Sequence, residues 1–156
     1  MSTVSLAQNL NNTVSAGSTA FLSRLSLQLT SSHAFEFIGA SVSLIRTPND
    51  SSNIEALVFP GQGTFDQCMG SLAKNGLDEL IKNWIESEKP YFGICLGLQV
   101  LFSSSEEGEK QGLGIHKGFV KRFSLDSQYK IPHMGWNSIY WEDDLGDDLM
   151  KGIEKG

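Results

Sequence analysis

The chain has 156 residues, of which 40% are hydrophobic and 19% charged, a balance typical of one folded domain rather than of a disordered chain. The formal net charge is −6 and no basic stripe is visible, which argues against nucleic acid and anionic membranes as partners. Two cysteines make no disulfide framework, and no apolar run approaches the ~18 residues that span a bilayer. We therefore expect reduced thiols in a cytoplasmic protein without membrane contact.

The first 34 residues differ in composition from the rest of the chain. Between Met1 and Phe35 there is no acidic residue and a single basic one, Arg24. Such a segment resembles an organellar transit peptide, but one arginine favours a divergent lead-in of low order over residues 1–34. We expect no strand in this lead-in, and we assign residues 35–156 to the folded domain.

Two short apolar segments after the lead-in predict strands. Residues 41–45 form the first, and turn residues 47–50 end it. Residues 55–59 are an almost continuous apolar run, which is typical of a strand buried on both faces of a parallel sheet. A helical repeat of apolar residues follows over residues 68–88, with an interruption at residues 75–76, and predicts helix there.

The remaining elements continue the alternation of strand and helix. Residues 91–95 predict a second buried strand that runs directly into a helix over residues 96–102. Polar and glycine-rich residues 103–114 predict a loop, and residues 119–123 predict another strand. Because alternating strands and helices imply right-handed crossovers, we predict an α/β fold: an open, mostly parallel sheet with helices on both faces.

The sharpest local feature is the sequence Gly-Ile-Cys-Leu-Gly at residues 93–97, between a predicted strand and a predicted helix. It has the form of a nucleophile elbow with cysteine in the place of serine. The glycines remove side chains that would collide with neighbouring backbone at such a tight turn. The N-terminus of a helix also favours the thiolate of Cys95. The alternative is an unreactive core cysteine, which is a common environment for this residue.

A second glycine-rich turn, Pro-Gly-Gln-Gly at residues 60–63, follows the preceding buried strand. Ligands of open α/β sheets bind beyond the carboxyl ends of the strands, where both turns are predicted to lie. Backbone N–H groups in such a turn can stabilise a developing oxyanion. Alone, this turn is equally well explained as an ordinary strand–helix connection. Together with the cysteine turn, it predicts a catalytic site.

These motifs resemble those of class I (triad) glutamine amidotransferases, and the resemblance covers roughly residues 35–139. It rests on the two glycine-rich turns and on Ser-Glu-Glu-Gly at residues 105–108. Pro-His-Met-Gly-Trp-Asn at residues 132–137 narrows it to the glutaminase subunits of imidazole glycerol phosphate synthases. The resemblance implies a flavodoxin-like sheet, with neither a cofactor nor a metal ion.

The resemblance also implies a role for each matching residue. Cys95 would attack the glutamine amide and form a glutamyl thioester, and the backbone N–H groups of Gln62 and Leu96 would form the oxyanion hole. The residues that would hold glutamine are Gly61, Gly63, Gln99 and Glu107, with Glu107 near the α-ammonium group. The residues that would lie near a partner are His133, Met134 and Trp136. Core packing explains Trp136 equally well.

The implied activity is hydrolysis of glutamine to glutamate and ammonia. The ammonia would pass to a (β/α)₈ cyclase subunit, in a heterodimer that makes imidazole glycerol phosphate and AICAR in histidine biosynthesis.

Two features depart from the family pattern: the late His and Glu of the catalytic triad have no counterpart, and the opening strand is not recognisable. We therefore expect a fold incomplete at both ends and impaired hydrolysis. The alternatives are an inactive partner-binding protein, a glutaminase of a sugar-amidating pathway, and another α/β protein with a cysteine elbow.

Overall fold

The structure is a computed structural model. It describes residues 3–7, 18–126, 129, 131, 135–140, 150 and 152–153, with the backbone alone for residues 3–7 and 18–27. The chain divides into two units, Met1–Arg122 and Phe123–Gly156. The described helices and strands all belong to the first unit. Within the described residues, no helix is both long and apolar enough to cross a membrane.

A four-stranded sheet forms the centre of the first unit. Its strands are β1 (Thr3–Ala7), β2 (Ser41–Ile45), β3 (Ala56–Gly61) and β4 (Tyr91–Cys95). The helices that connect them are α1 (Ser18–Phe37), α2 (Phe65–Asn75) and α3 (Leu77–Glu86). The spatial order is β2-β1-β3-β4 and every neighbouring pair is parallel, which confirms the predicted parallel α/β fold.

The expectation that the lead-in contains no strand is wrong. β1 lies between β2 and β3 and pairs in parallel with both, so the lead-in supplies a central strand of the sheet. The sequence of β1, Thr-Val-Ser-Leu-Ala, alternates over only five residues. Such a short pattern does not stand out in a segment rich in Ser and Leu. The division of the chain between residues 34 and 35 stays a prediction.

Different helices cover the two faces of the sheet. Leu57 and Phe59 of β3 are fully buried in a cluster that includes Leu72 of α2. Val58, between them, belongs to a second cluster with Phe35 of α1. Burial on both faces explains why this strand is continuously apolar, and it confirms the prediction for this segment. Each large side chain buried in this way contributes about 1.5–3 kcal/mol of transfer free energy.

The predicted interruption in the helical repeat separates α2 from α3. Gly76, between the two helices, has a φ of 68°, and its N–H donates to carbonyl groups of the last turn of α2. This left-handed conformation is favourable for glycine and ends a helix. At the other end of α2, the hydroxyl of Thr64 accepts a hydrogen bond from the N–H of Gln67 at 3.4 Å. The start of α2 is therefore fixed directly after the Pro-Gly-Gln-Gly turn.

Of the described strands, β4 lies at one edge of the sheet, and the predicted burial of both its faces is only partly correct. The side chain of Phe92 is 58% exposed, whereas Tyr91 packs against the larger core cluster. The sequence could not show this, because an apolar run is compatible with a central strand and with an edge strand. Ile94, on the same face as Phe92, packs against the smaller cluster, so both faces are partly covered toward the end of β4.

The segment after β4 also differs from the prediction. The helix that follows is a single turn, α4 (Leu96–Gln99), and does not extend to residue 102. Part of the predicted loop is instead a strand, β5 (Phe102–Ser105), which pairs in parallel with β6 (His116–Val120) in a small second sheet. β5 ends in three serines and so lacks the apolar alternation that reveals a strand.

In the second unit, the described residues form neither helix nor strand. Several of its described apolar side chains are exposed, including Phe123, Leu125 and Trp136. Residues 131 and 135–139 are described, and none of them lies in a strand.

Candidate active site

Cys95 occupies the junction between β4 and α4, and its backbone has a conformation that side-chain-bearing residues rarely adopt. Its φ is 56° and its ψ is −116°. Such a conformation costs about 1–3 kcal/mol and persists only where the surrounding structure enforces it. The thiol side chain is exposed, so Cys95 is not the core cysteine of the alternative interpretation. A strained turn that leaves a nucleophile accessible is the geometry of a nucleophile elbow.

Three glycines allow the elbow to pack against the sheet. A Cβ atom added at Gly93 would lie 2.5 Å from the carbonyl oxygen of Gly97, and one added at Gly61 would lie 2.5 Å from the nitrogen of Gly97. A Cβ atom on Gly97 itself would overlap the carbonyl oxygen of Phe59. The backbone of the elbow therefore rests directly on the backbone of β3. This close approach is the physical reason for the Gly-x-Cys-x-Gly spacing.

The Pro-Gly-Gln-Gly turn lies beside the cysteine elbow. Gly61 is the register partner of Cys95 on the adjacent parallel strand. Gln62 and Gly63 follow directly, and Gly63 has a φ of 103°, a conformation that favours glycine. Both predicted glycine-rich turns are thus neighbours at the carboxyl edge of the sheet.

Two buried amide oxygens in these turns have no hydrogen-bond partner among the described residues. One is Oε1 of Gln62, and the other is Oε1 of Gln99 at the end of α4. A buried acceptor without a donor costs about 1–3 kcal/mol.

Tyr91 supports the elbow from the core. Its hydroxyl donates a hydrogen bond to the carbonyl oxygen of Gly97 at 2.7 Å. Burial raises the pKa of Tyr91 far above its usual value, and the neighbouring Cys68 raises it further. Tyr91 therefore remains a neutral donor at physiological pH. No sequence signal predicts this role, because nothing in a strand sequence shows where a phenol finds its acceptor.

Glu107 is exposed on the loop after β5, and this loop is tied to the start of α2. The carboxylate of Asp66 accepts hydrogen bonds from the N–H of Lys110 at 2.8 Å and of Glu109 at 3.1 Å. Both hydrogen bonds lower the pKa of Asp66, and the one from Lys110 has the larger effect. Asp66 could not be found from the sequence either, because 43 residues separate it from Glu109 and no motif links them.

The predicted site residues fall into three groups. Those at the paired turns are Gly61, Gln62, Gly63, Cys95, Leu96 and Gln99. Glu107 lies on a separate loop of the same unit. Trp136 belongs to the second unit and is fully exposed, and His133 and Met134 lie outside the described residues. The part of the chain that the structure describes contains no group of three or more His, Cys, Asp or Glu placed to hold a metal ion.

A parallel sheet, a cysteine elbow and an adjoining glycine-rich turn define an α/β protein of the nucleophile-elbow class. The glutamine amidotransferase class-I family model matches residues 25–154. The chain belongs to this family.

Several curated relatives carry the name of one synthase. The chain is 46% identical over 106 residues to an imidazole glycerol phosphate synthase subunit HisH of Prochlorococcus marinus, covering 68% of this chain and 50% of the relative. The HisH subunit of Nostoc punctiforme is 46% identical over 115 residues, covering 69% and 54%. The chloroplastic synthase hisHF of Arabidopsis thaliana is 43% identical over 108 residues, covering 69% and 18%. The chain thus spans about half the length of the HisH relatives.

A solved structure supports the same architecture. The crystal structure of a glutamine amidotransferase aligns with a TM-score of 0.54 and 21% identity, covering 63% of this chain and 52% of that one. At this identity the likeness concerns the fold, and it confirms the predicted class I amidotransferase-like α/β architecture.

Proposed function

We propose that the chain acts as the glutaminase part of an imidazole glycerol phosphate synthase, with Cys95 as the nucleophile. The observation that carries this proposal is the exposed thiol of Cys95 on a strained elbow, in register with Gly61 of the neighbouring turn. The similarity to HisH subunits supports glutamine as the substrate and histidine biosynthesis as the pathway.

In the proposed reaction, the thiolate of Cys95 attacks the carboxamide carbon of glutamine. Two backbone N–H groups, those of Gln62 and Leu96, stabilise the oxyanion that forms. The amide nitrogen leaves as ammonia after it gains a proton, and a glutamyl thioester remains. Water then hydrolyses the thioester, which releases glutamate and restores the thiol.

Glutamine recognition uses the residues around the elbow. Gly61 brings its turn against the elbow, because a Cβ atom there would collide with Leu96 and Gly97. Gly63 lets the substrate approach the backbone closely. The side chain of Gln99 helps to hold glutamine, as the family resemblance implies. The carboxylate of Glu107 pairs with the α-ammonium group of glutamine. Each of these roles follows from the family resemblance. The exposure of Glu107 leaves its carboxylate accessible to a ligand.

The ammonia passes to a (β/α)₈ cyclase subunit, which forms a heterodimer with this chain. Trp136 contributes to the interface, together with His133 and Met134. Full exposure of Trp136 supports this role, because exposed aromatic side chains are enriched at protein interfaces. A cytoplasmic location is part of the proposal, and it agrees with the reduced thiols of both cysteines.

The expected rate of glutamine hydrolysis depends on a base that accepts the proton of the Cys95 thiol. The sequence contains three histidines, His33, His116 and His133, and none matches the late triad His of the family. A thiol nucleophile normally depends on an adjacent base. We therefore propose that these residues alone turn glutamine over slowly. The same observation favours a second candidate function, a protein that binds the cyclase subunit without hydrolysing glutamine.

Glutamate release by the purified protein, with and without a cyclase subunit, tests the proposal. We expect slow turnover that the cyclase stimulates, with formation of imidazole glycerol phosphate when its precursor is supplied. Cys95→Ser should abolish turnover, and the matched variant Cys68→Ala should retain it, because Cys68 lies in the core. Turnover that survives Cys95→Ser would exclude the proposed nucleophile.

A glutamine-like electrophile separates the two candidate functions. Selective alkylation of Cys95, with no glutamate release, would indicate a formed pocket that lacks a base, and cyclase binding would then support the second function. Equal labelling of Cys68 and Cys95 would show that neither thiol lies in a glutamine pocket. Product analysis with the cyclase also distinguishes the histidine pathway from a sugar-amidating pathway.

A further inference from the structure

Asp66, in the first turn of α2, joins two segments that are far apart in sequence. Its Oδ1 accepts a hydrogen bond from the N–H of Lys110, and its Oδ2 accepts one from the N–H of Glu109. Both donors are backbone groups, so the contact is independent of the loop side chains. We call Asp66 and residues 108–110 the Asp66 clamp.

Gly108 shapes the loop around this carboxylate. A Cβ atom on Gly108 would overlap Oδ1 of Asp66 and would lie 2.9 Å from its Cγ. The same atom would lie 3.3 Å from a ring carbon of Phe65, which is fully buried. The loop backbone therefore rests directly on the start of α2, and any larger residue at position 108 would displace the carboxylate from its two donors.

Glu107 lies between the Asp66 clamp and a second anchor. The N–H of Glu107 donates to the hydroxyl of the buried Ser105 at 3.1 Å, and the N–H of Glu106 donates to the carbonyl of Val120 at 2.9 Å. The loop is thus fixed on the β5 side by Ser105 and on the other side by Asp66. α2 begins directly after the turn that carries Gly63, so the clamp connects this turn to the loop of Glu107.

We propose that Asp66 is a positioning residue for glutamine: it holds the loop so that the carboxylate of Glu107 meets the α-ammonium group of the substrate. The inference rests on the proposed function and extends it to a residue that makes no contact with the substrate. Without the clamp, the loop would have to be ordered on binding, and that entropic cost would weaken affinity.

Calorimetric titration of glutamine tests the inference on a Cys95→Ser background, which excludes turnover. Asp66→Ala and Gly108→Ala should each raise the dissociation constant of glutamine about tenfold, and the double variant should show no further loss because both break one clamp. Asp66→Asn keeps one acceptor oxygen and should restore part of the affinity.

Two controls distinguish positioning from a general structural effect. Asp50→Ala removes a carboxylate that also accepts two backbone N–H groups, of Arg46 and Thr47, in a loop outside the site, and it should leave glutamine affinity unchanged. Glutaramate, which is glutamine without its α-amino group, should bind the Asp66→Ala variant as well as it binds the parent.

An equal loss of affinity for glutamine and glutaramate, or no loss for either, would overturn the role of Asp66. Failure of the proposed function has a different signature, since the parent protein would then bind neither compound, and that result would overturn the inference as well.

Discussion

The thiol of Cys95 depends on a backbone that is unfavourable for cysteine. A φ of 56° is accessible to glycine at little cost, whereas a Cβ atom at that position is strained. The strain is retained because Gly93 and Gly97 let the surrounding backbone close around the turn, and because the hydroxyl of Tyr91 holds the carbonyl of Gly97. The position of the Cys95 thiol is therefore fixed by Gly93, Gly97 and Tyr91, which take no part in the proposed reaction.

Relief of this strain should be measurable. We expect Cys95→Gly to be about 1 kcal/mol more stable than Cys95→Ala, although glycine normally lowers stability relative to alanine. Cys95→Ala is the matched control, since it removes the thiol and keeps the Cβ atom. The free energy of unfolding from urea titrations gives the comparison. Equal stability of the two variants, or a more stable alanine variant, would mean that the elbow stores no strain.

Carboxylates fix two loops of the first unit in the same way. Asp50 accepts hydrogen bonds from the N–H groups of Arg46 and Thr47 beyond β2, and Asp66 accepts those of the loop after β5. In both cases the backbone donors lower the pKa of the carboxyl group from its usual 3.8. The ionised forms therefore stabilise the folded state, and their contribution depends on pH.

The sign of that dependence follows from the lowered pKa values. Both contributions are complete above pH 3.8, where the unfolded carboxyl groups are ionised, and they are lost as the pH falls through the lower pKa of the folded state. We expect unfolding free energies measured between about pH 6 and pH 2 to fall less steeply for an Asp50→Asn/Asp66→Asn double variant than for the parent. Identical slopes would contradict this assignment.

The elements that could be predicted are those with a strong apolar pattern. Residues 56–59 are recognisable because both faces of β3 are buried, and α2 and α3 because their apolar residues repeat along one helical side. β1 escaped prediction because its five residues stand in a segment rich in Ser and Leu, and β5 because three of its four residues are serines. In the site, the glycine spacing predicts the elbow. Asp66 and Tyr91 act through hydrogen bonds to distant backbone, which leave no trace in sequence.

The second unit carries the largest exposed aromatic side chain of the described residues, Trp136. The described part of the second unit exposes several aromatic side chains, among them Phe123, Trp136 and Tyr140. Aromatic side chains are enriched at protein interfaces. Trp136 stands in the sequence that resembles the family's partner-facing motif, which makes it the natural choice for a binding test.

We expect Trp136→Ala to raise the dissociation constant for the cyclase subunit by about thirtyfold, the effect of losing an interface hot spot. Phe119→Ala is the control, because Phe119 is also an exposed aromatic residue but lies on β6 in the first unit. Calorimetry or surface plasmon resonance measures both. Unchanged affinity for Trp136→Ala, or equal losses in the two variants, would place the partner surface elsewhere.

The two cysteines differ in exposure, and this difference makes transient opening of the protein core measurable. The side chain of Cys95 is exposed, whereas Cys68, on α2, is fully buried in the core. A small alkylating reagent reacts with Cys95 in the folded protein, at the rate of its exposed thiol. It reacts with Cys68 only when α2 separates from the sheet. Counting adducts over time by mass spectrometry therefore measures transient opening of the core in an unlabelled, unmodified chain.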